Sequence, residues 1–246
     1  MAKCFGNSIV GTSGVNGDAF YISSDNSTIV LADGASGAGA DGKVIMSKCC
    51  VENIEAFPFS KSNLSPKEYL DRVIWKINND LIKLSQQKNK YIFGTLVICI
   101  ISSNIATFAS VGDSPAFLIK ENTIERVAKT KKTYDNLVQM GIFTEEQLEE
   151  YVHRLPEHMW SMFDTFMPMV VPKYSLEEYS LNKGDMIIIC CDGVSDYLNS
   201  NELVKLIDND NLSKSVEQII DIAKDNAIKE HNRNQYDDIT IILYQH

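Results

Sequence analysis

The chain has 246 residues, of which 44% are hydrophobic, and it carries a formal charge of −10 at pH 7. An isoelectric point near 4.9 argues against a nucleic-acid-binding protein, because such a protein needs a basic surface to neutralise phosphates. The length suits a single domain spanning 1–246, and the apolar content is sufficient for a large core. An anionic substrate would have to be attracted by bound metal rather than by the net charge of the protein.

The sequence predicts no membrane segment. The first eight residues lack the apolar run of a signal peptide, and no apolar stretch approaches the roughly 18 residues that a transmembrane helix requires. We therefore expect a cytoplasmic protein that does not contact a membrane. The six cysteines show no C-x-x-C spacing and several lie in apolar runs, which predicts reduced, buried thiols.

The first part of the chain predicts a hairpin followed by two helices. Apolar alternation over 19–33, interrupted by a turn, is typical of two antiparallel strands. Helical spacing of apolar residues predicts a helix over 43–57. The capping box Ser65-Pro66-Lys67-Glu68 marks the start of a second helix, whose apolar stripe covers 70–84.

The middle of the chain predicts strands joined by short turns, a pattern that favours antiparallel pairing. The predicted strands are 92–101, 105–111, 116–119 and 123–127. Residues 128–173 are polar and lack clear strand alternation, although a capping box begins at Thr144. We expect this segment to form a flap over the body, or equally a peripheral subdomain.

The end of the chain again predicts a group of strands followed by a group of helices. The predicted elements are strands 174–180 and 185–191, helices 201–208 and 214–230, and a last strand 239–244. Because strands and helices come in blocks rather than alternating one by one, the pattern indicates an α+β fold. We expect antiparallel sheets packed against each other with helices outside.

Apolar runs repeatedly end beside an acidic residue. Asp33, Asp113 and Asp192 each follow such a run and adjoin a glycine, and Asp237 precedes the last run. Buried strands of this kind place each carboxylate at the rim of the core. Two carboxylates about 4 Å apart repel by roughly 4 kcal/mol at an effective dielectric constant near 20, so a cluster of them needs a cation. Hard oxygen ligands without histidine favour Mg²⁺ or Mn²⁺.

Residues 37–42 also satisfy the G-x-G-x-x-G pattern of dinucleotide-binding proteins. Four residues separate the preceding strand from the first glycine, and no strand with an acid at its end follows the helix. We therefore interpret these glycines as a turn into the helix.

The order of the motifs resembles that of PP2C-type (PPM) metal-dependent protein phosphatases of the bacterial type. The resemblance covers about residues 7 to 244, and the motifs that carry it are Asn16-Gly17-Asp18, Ala32-Asp33-Gly34, Phe93-Gly94-Thr95, Val111-Gly112-Asp113, Cys191-Asp192-Gly193 and Asp237-Asp238-Ile239-Thr240. It implies an αββα sandwich, in which two antiparallel β-sheets are flanked by helix pairs, with a flap subdomain at about 128–173.

The resemblance also implies roles for individual residues. Asp33 would bridge two Mn²⁺ or Mg²⁺ ions, and the carbonyl of Gly34 would bind the first. Asp192 and Asp237 would hold the second ion, while Asp113 together with Asp192 would hold a third, more weakly bound one. The residues expected to act in catalysis are Asp18, Asp33, Asp192 and Asp237.

The implied reaction is hydrolysis of phosphoserine and phosphothreonine on proteins. Water activated by the two ions attacks phosphorus in line, and Asp18 is the expected outer-shell acceptor for that water. A cysteine nucleophile is not expected, because none of the cysteines has an arginine at the Cys-x5-Arg spacing. The implied partners are a phosphorylated protein substrate and, beyond it, a Ser/Thr kinase or its targets.

Four positions depart from the family pattern. Ser13 stands where an arginine commonly binds the substrate phosphate, and serine cannot replace a bidentate guanidinium. Gly17, Pro115 and Asp238 stand where glutamate, arginine and asparagine are found in other members. These departures leave two alternatives open: a catalytically weak PP2C-like regulator that binds phosphoproteins, and a sporulation- or stress-type phosphatase acting on a small phosphoserine regulator.

Overall fold

The computed structural model describes residues 2–121, 123–128, 144, 146–147, 174–231 and 235–246. Nearly all of the predicted flap, 128–173, lies outside these residues. Of its predicted capping box, the Gln147 N–H donates to Thr144 Oγ1 at 3.1 Å and the Thr144 N–H donates to Gln147 Oε1 at 3.0 Å. The prediction of a single domain over the whole chain stays a prediction.

Two five-stranded antiparallel sheets form the centre of the described chain. Their strands are β1 (Lys3–Ile9), β2 (Asp18–Ile22), β3 (Thr28–Gly34), β4 (Gly94–Ser102), β5 (Ile105–Val111), β6 (Ala116–Lys120), β7 (Thr123–Arg126), β8 (Ser175–Ser180), β9 (Met186–Cys190) and β10 (Ile239–Gln245). The first sheet has the order β1-β10-β9-β6-β7 and the second the order β2-β3-β4-β5-β8. The first and last strands of the chain therefore pair with each other, which joins the two ends of the sequence.

Helices cover the outer face of each sheet. They are α1 (Gly39–Ala56), α2 (Pro66–Lys88), α3 (Asp192–Ser195), α4 (Ser200–Lys205) and α5 (Leu212–His231). Helix α2 begins at the predicted capping box, where Ser65 Oγ accepts the Glu68 N–H at 3.4 Å and Glu68 Oε2 accepts the Ser65 N–H at 3.0 Å.

Three buried apolar layers hold the elements together. Between the sheets lie residues such as Leu31, Val97 and Ile189. Helices α1 and α2 pack on the second sheet, and α3, α4 and α5 pack on the first. Fully burying an Ile, Leu or Val side chain contributes about 1.5–3 kcal/mol, so these layers dominate the stability. The α+β class and the αββα sandwich are confirmed.

Besides the short helix α3, which was not predicted, two elements differ from the sequence prediction. Strand β1 was not predicted, because Gly6, Asn7 and Ser8 are poor strand formers, but it pairs with β10 over its whole length. Helix α1 begins at Gly39, before the apolar pattern that starts near 43, and its first turn packs closely on Tyr91, whose carbonyl oxygen would lie 2.6 Å from a Cβ on Gly42. In both cases tertiary contacts outweigh local propensity.

The state of the cysteines and the character of the described helices can be compared with the sequence prediction. All six cysteines are free, and all except Cys4 are buried. Among the helices that the structure describes, none combines the length and the apolar character needed to cross a membrane.

Candidate metal centre

The predicted site residues gather at one end of the sandwich. Asp18 begins β2 and Asp33 lies near the end of β3, directly opposite it in the register of these two strands. Asp113 follows β5, Asp192 is the first residue of α3 just after β9, and Asp237 lies two residues before β10. Because neighbouring strands are antiparallel, the acids of each sheet lie at one edge of that sheet. The hydrogen bond from Thr240 Oγ1 of β10 to Asp18 Oδ2 of β2 joins the two edges.

Two glycines allow the elements to approach closely here. A Cβ on Gly34 would lie 2.1 Å from the carbonyl oxygen of Lys43, and one on Gly193 would lie 2.1 Å from the carbonyl oxygen of Asp238. Any side chain at these positions would push α1 away from β3, or α3 away from β10. The glycines beside the acids are therefore required by packing at the site.

Asp18 and Asp33 form the inner pair of carboxylates. Their oxygens lie within 4.8 Å of each other and of Cys191 Sγ. Burial raises the pKa of Asp18 to about 6, although a hydrogen bond donated by Thr240 Oγ1 at 2.5 Å opposes the shift. Burial, followed by the charges of Asp18 and Asp192, raises the pKa of Asp33 well above its usual range. Without a cation, the raised pKa values of both acids favour binding of a proton by the pair.

Outer carboxylates add to the same negative field. Asp192 keeps an exposed outer surface, yet desolvation of its carboxylate, followed by the charge of Asp237, raises its pKa to about 7. Asp113 and Asp18 contribute further to that shift. Burial, followed by the charge of Asp113, also raises the pKa of Asp196.

The donor set fits Mg²⁺ or Mn²⁺. The carboxylates are hard oxygen donors, and a divalent cation between them would remove the repulsion that raises their pKa values. Cys191 is the soft donor nearby, but burial raises the pKa of its thiol well above the ordinary value, and its Sγ accepts the Thr240 N–H at 3.1 Å. The thiol is therefore engaged with β10 and poorly suited to bind zinc.

Asp196 was not assigned a role from the sequence. It lies four residues after Asp192, so one helical turn brings its carboxylate back toward the same side of α3. The spacing of the two acids was the signal that could have identified it.

Asp238 differs from its neighbour Asp237 because its charge is compensated. Its Oδ1 accepts the Gly11 N–H at 2.7 Å, and its Oδ2 accepts the Gly17 N–H at 2.7 Å. Lys43 Nζ lies 2.8 Å from the same Oδ2, and both side chains are only 5% exposed. No pattern in the sequence indicated this buried ion pair, which fixes the loop between β1 and β2.

Ser13 and Pro115, which also depart from the family pattern, each form hydrogen bonds with neighbouring residues. Ser13 is exposed, and its Oγ accepts a hydrogen bond from Lys43 Nζ at 3.2 Å. Pro115 is buried, and its carbonyl accepts the Cys190 N–H at 3.2 Å. On the side of Asp113, Arg126 Nη2 donates to the Asp113 carbonyl at 2.6 Å.

Comparison with known proteins identifies the family. The chain matches the family Protein phosphatase 2C over residues 5–233. It belongs to that family. The prediction of a PP2C-type protein phosphatase is thus confirmed, and the match favours an enzyme over the catalytically weak binding protein.

Individual relatives agree with this assignment. A Mycoplasma pneumoniae protein with a provisional protein-phosphatase name is 26% identical over 218 residues, covering 80% of this chain and 79% of the relative. The Mycobacterium tuberculosis serine/threonine phosphatase PstP/Ppp has a TM-score of 0.77 at 18% identity and covers 99% of this chain and 98% of its own. Staphylococcus aureus Stp1 has a TM-score of 0.76 at 24% identity and covers 100% and 95%, respectively. At these identities the structural likeness shows the PP2C fold.

Proposed function

We propose that this PP2C-family chain hydrolyses phosphoserine and phosphothreonine on proteins with two Mn²⁺ or Mg²⁺ ions in its core site. The observation that carries the proposal is the group of mutually repelling carboxylates at one end of a PP2C fold, around Asp33 and Asp192. The PstP catalytic domain, which shares the fold with a TM-score of 0.75, was solved in complex with 2 manganese ions.

The proposed ligand set follows the order of the acids around the site. Asp33 would bridge the two ions and the Gly34 carbonyl would hold the first, while Asp192 and Asp237 would hold the second. Asp113 together with Asp192 would hold a third ion more weakly, which fits their position at the exposed edge of the group. Bound divalent ions supply positive charge that acidifies water and stabilises the phosphoryl oxygens.

Asp18 is the proposed proton acceptor among the chain's own residues. Thr240 Oγ1 donates to its Oδ2 at 2.5 Å, which fixes the carboxylate at the edge of the site beside Asp33. A carboxylate held in this way can orient the attacking water and receive its proton. Its half-buried position limits the bulk water that can compete for that contact.

The proposed substrate is a phosphorylated protein, and the proposed partners are a Ser/Thr kinase or the targets of that kinase. A small phosphoserine regulator of the sporulation or stress-response type is the alternative substrate within the same reaction class. We propose that the reaction takes place in the cytoplasm and serves signalling by reversing protein phosphorylation.

The direct test is hydrolysis of p-nitrophenyl phosphate and of phosphoserine peptides with Mn²⁺, comparing Asp192→Ala with the parent protein. We expect kcat to fall by about 100-fold or more, because Asp192 would hold two of the ions. Asp221→Ala, an exposed acid on α5, is the matched control and should change kcat by less than about 2-fold. Activity that is missing with every divalent ion, or that does not depend on Asp192, would contradict the proposal.

A further inference from the structure

We propose that Lys43 binds the substrate phosphate in this chain, in place of the arginine that Ser13 replaces. The inference rests on the proposed phosphatase function and concerns how the same site holds its anionic substrate. It is carried by the position of the Lys43 ammonium, its surroundings and its remaining hydrogen-bonding capacity.

The ammonium of Lys43 reaches the exposed loop that precedes β2. Its Nζ lies 3.2 Å from Ser13 Oγ and 2.8 Å from Asp238 Oδ2. Lys43 on helix α1 therefore places a positive charge beside residue 13. The aliphatic stem passes over Gly17, where an added Cβ would lie 2.5 Å from Lys43 Cδ. Gly17, which has no side chain to bind metal, makes room for the lysine.

The surroundings of Lys43 place its charge at the edge of the proposed metal centre. Gly17 precedes Asp18, and Asp238 follows Asp237. The backbone of Lys43 packs directly on Gly34, whose carbonyl is a proposed ligand. Gly34 is itself a proposed ligand, and the contacts Gly17 and Asp238 each adjoin an assigned acid in sequence. The ammonium therefore borders the place where a phosphoryl group would lie.

The ammonium has one donor left for a ligand. A lysine ammonium carries three N–H donors. Asp238 and Ser13 accept two of them, and the hydrogen bonds within the described residues include no third acceptor for Lys43. Ser13 Oγ donates to the Val15 carbonyl at 3.0 Å, so the serine hydroxyl is itself occupied. The third Lys43 donor is the group that can reach a phosphate oxygen at this position.

Asp238 holds the lysine in place. Its carboxylate also accepts the Gly11 and Gly17 N–H groups, so it is anchored independently of Lys43. Such an anchor fixes a flexible lysine as a point charge, although without the bidentate geometry of an arginine. The competing explanation is that the ion pair only stabilises the loop, and the two explanations predict different phosphate affinities once both charges are removed together.

The test compares Lys43→Met/Asp238→Asn, which removes both buried charges, with Asp238→Asn, in which the introduced amide oxygen can still accept a hydrogen bond from the Lys43 ammonium. The probe is inorganic phosphate, measured as an inhibitor of p-nitrophenyl phosphate hydrolysis at saturating Mn²⁺. We expect the double variant to raise Ki for phosphate and KM by about 10-fold relative to Asp238→Asn, with kcat within about 3-fold. The Kd for Mn²⁺ should be unchanged, and adding Ser13→Arg to the double variant should restore phosphate affinity.

The outcomes decide between the explanations. A double variant whose Ki lies within about 2-fold of that of Asp238→Asn would overturn the proposal and leave the pair a purely structural link. Lys76→Met is the control for removal of an ion-paired lysine outside the site, since the exposed Lys76 Nζ forms an ion pair with Asp80 at 2.7 Å on α2. It should leave Ki for phosphate unchanged.

A second measurement uses the unaltered protein and needs no turnover. The ¹⁵N resonance of the Lys43 ammonium, identified by its loss in Lys43→Arg, is followed while phosphate is added to the Mg²⁺-loaded protein. We expect a saturable shift, and a resonance that does not move at saturating phosphate would overturn the proposal. Since binding is observed directly, a protein that binds phosphate at Lys43 but hydrolyses nothing would contradict the proposed function alone.

Discussion

The two ends of the sandwich bury acidic residues in opposite circumstances. At the end that holds the candidate metal centre, Asp18 and Asp33 face each other, and their charges repel. At the other end, Asp185 is equally marked by a preceding glycine and a following apolar strand, and it is only 6% exposed. Its Oδ2 accepts the Asn182 N–H at 2.8 Å, and its carbonyl accepts the His246 N–H at 2.9 Å.

Burial and a neighbouring glycine therefore do not by themselves identify a functional acid. Asp185 closes a turn, and its carboxylate accepts a hydrogen bond from the Asn182 N–H. Asp238 is likewise satisfied by Lys43 and two backbone N–H groups. Asp33 and Asp192 instead meet other carboxylates, and this missing compensation is the feature that requires a cation.

The substitution with the largest expected effect on the difference between the two ends is Asp33→Asn. We expect kcat to fall by about 10³-fold or more, because the proposed bridging ligand would be lost. The same change removes a carboxyl group whose ionisation is opposed by burial and by its acidic neighbours, so the metal-free protein at pH 7 should become more stable by about 1–3 kcal/mol. Urea unfolding in EDTA measures this second effect.

Asp221→Asn serves as the control, because this exposed helical acid should change stability by less than about 0.5 kcal/mol. If Asp33→Asn destabilised the metal-free protein, the inner carboxylates could not be uncompensated charges.

Asp185→Ala tests the other end and should have the opposite sign. Removing its carboxylate leaves the Asn182 N–H without its acceptor, so we expect a loss of about 1–2 kcal/mol in the free energy of unfolding. Activity with Mn²⁺ should stay within about 2-fold of the parent protein. A variant that lost activity while remaining folded would show that the two ends are coupled. It would contradict the purely structural role assigned to Asp185.

The order of elements and the gathering of the acids could be predicted from the sequence because both depend on local patterns. Apolar periodicity identified the strands and long helices, and the position of each aspartate at the end of an apolar run indicated which residues share a rim. The capping box at Ser65 located the start of α2, since its two hydrogen bonds are made within one turn.

The features that could not be predicted depend on contacts between distant residues. Strand β1 forms because it pairs with β10 along its length, although the composition of β1 itself disfavours a strand. Lys43 and Asp238 are 195 residues apart, and either one alone has the pattern of an ordinary surface charge. The phosphate-binding role proposed for Lys43 thus came from the structure, whereas Asp196 could have been recognised from its helical spacing to Asp192.

The most direct test of the central claim is the stability of the protein between pH 5 and 7.5, measured by urea unfolding with EDTA and with saturating Mg²⁺. Burial and neighbouring charges raise the pKa of Asp18 to about 6 and that of Asp192 to about 7. A raised carboxyl pKa means that the folded state binds more protons than the unfolded state, so stability is lost as pH rises through these values. We expect the metal-free protein to lose stability from pH 5 to 7.5, and Mg²⁺ to abolish that loss. The same pH dependence with and without Mg²⁺, or a metal-free protein whose stability rises with pH, would contradict the account.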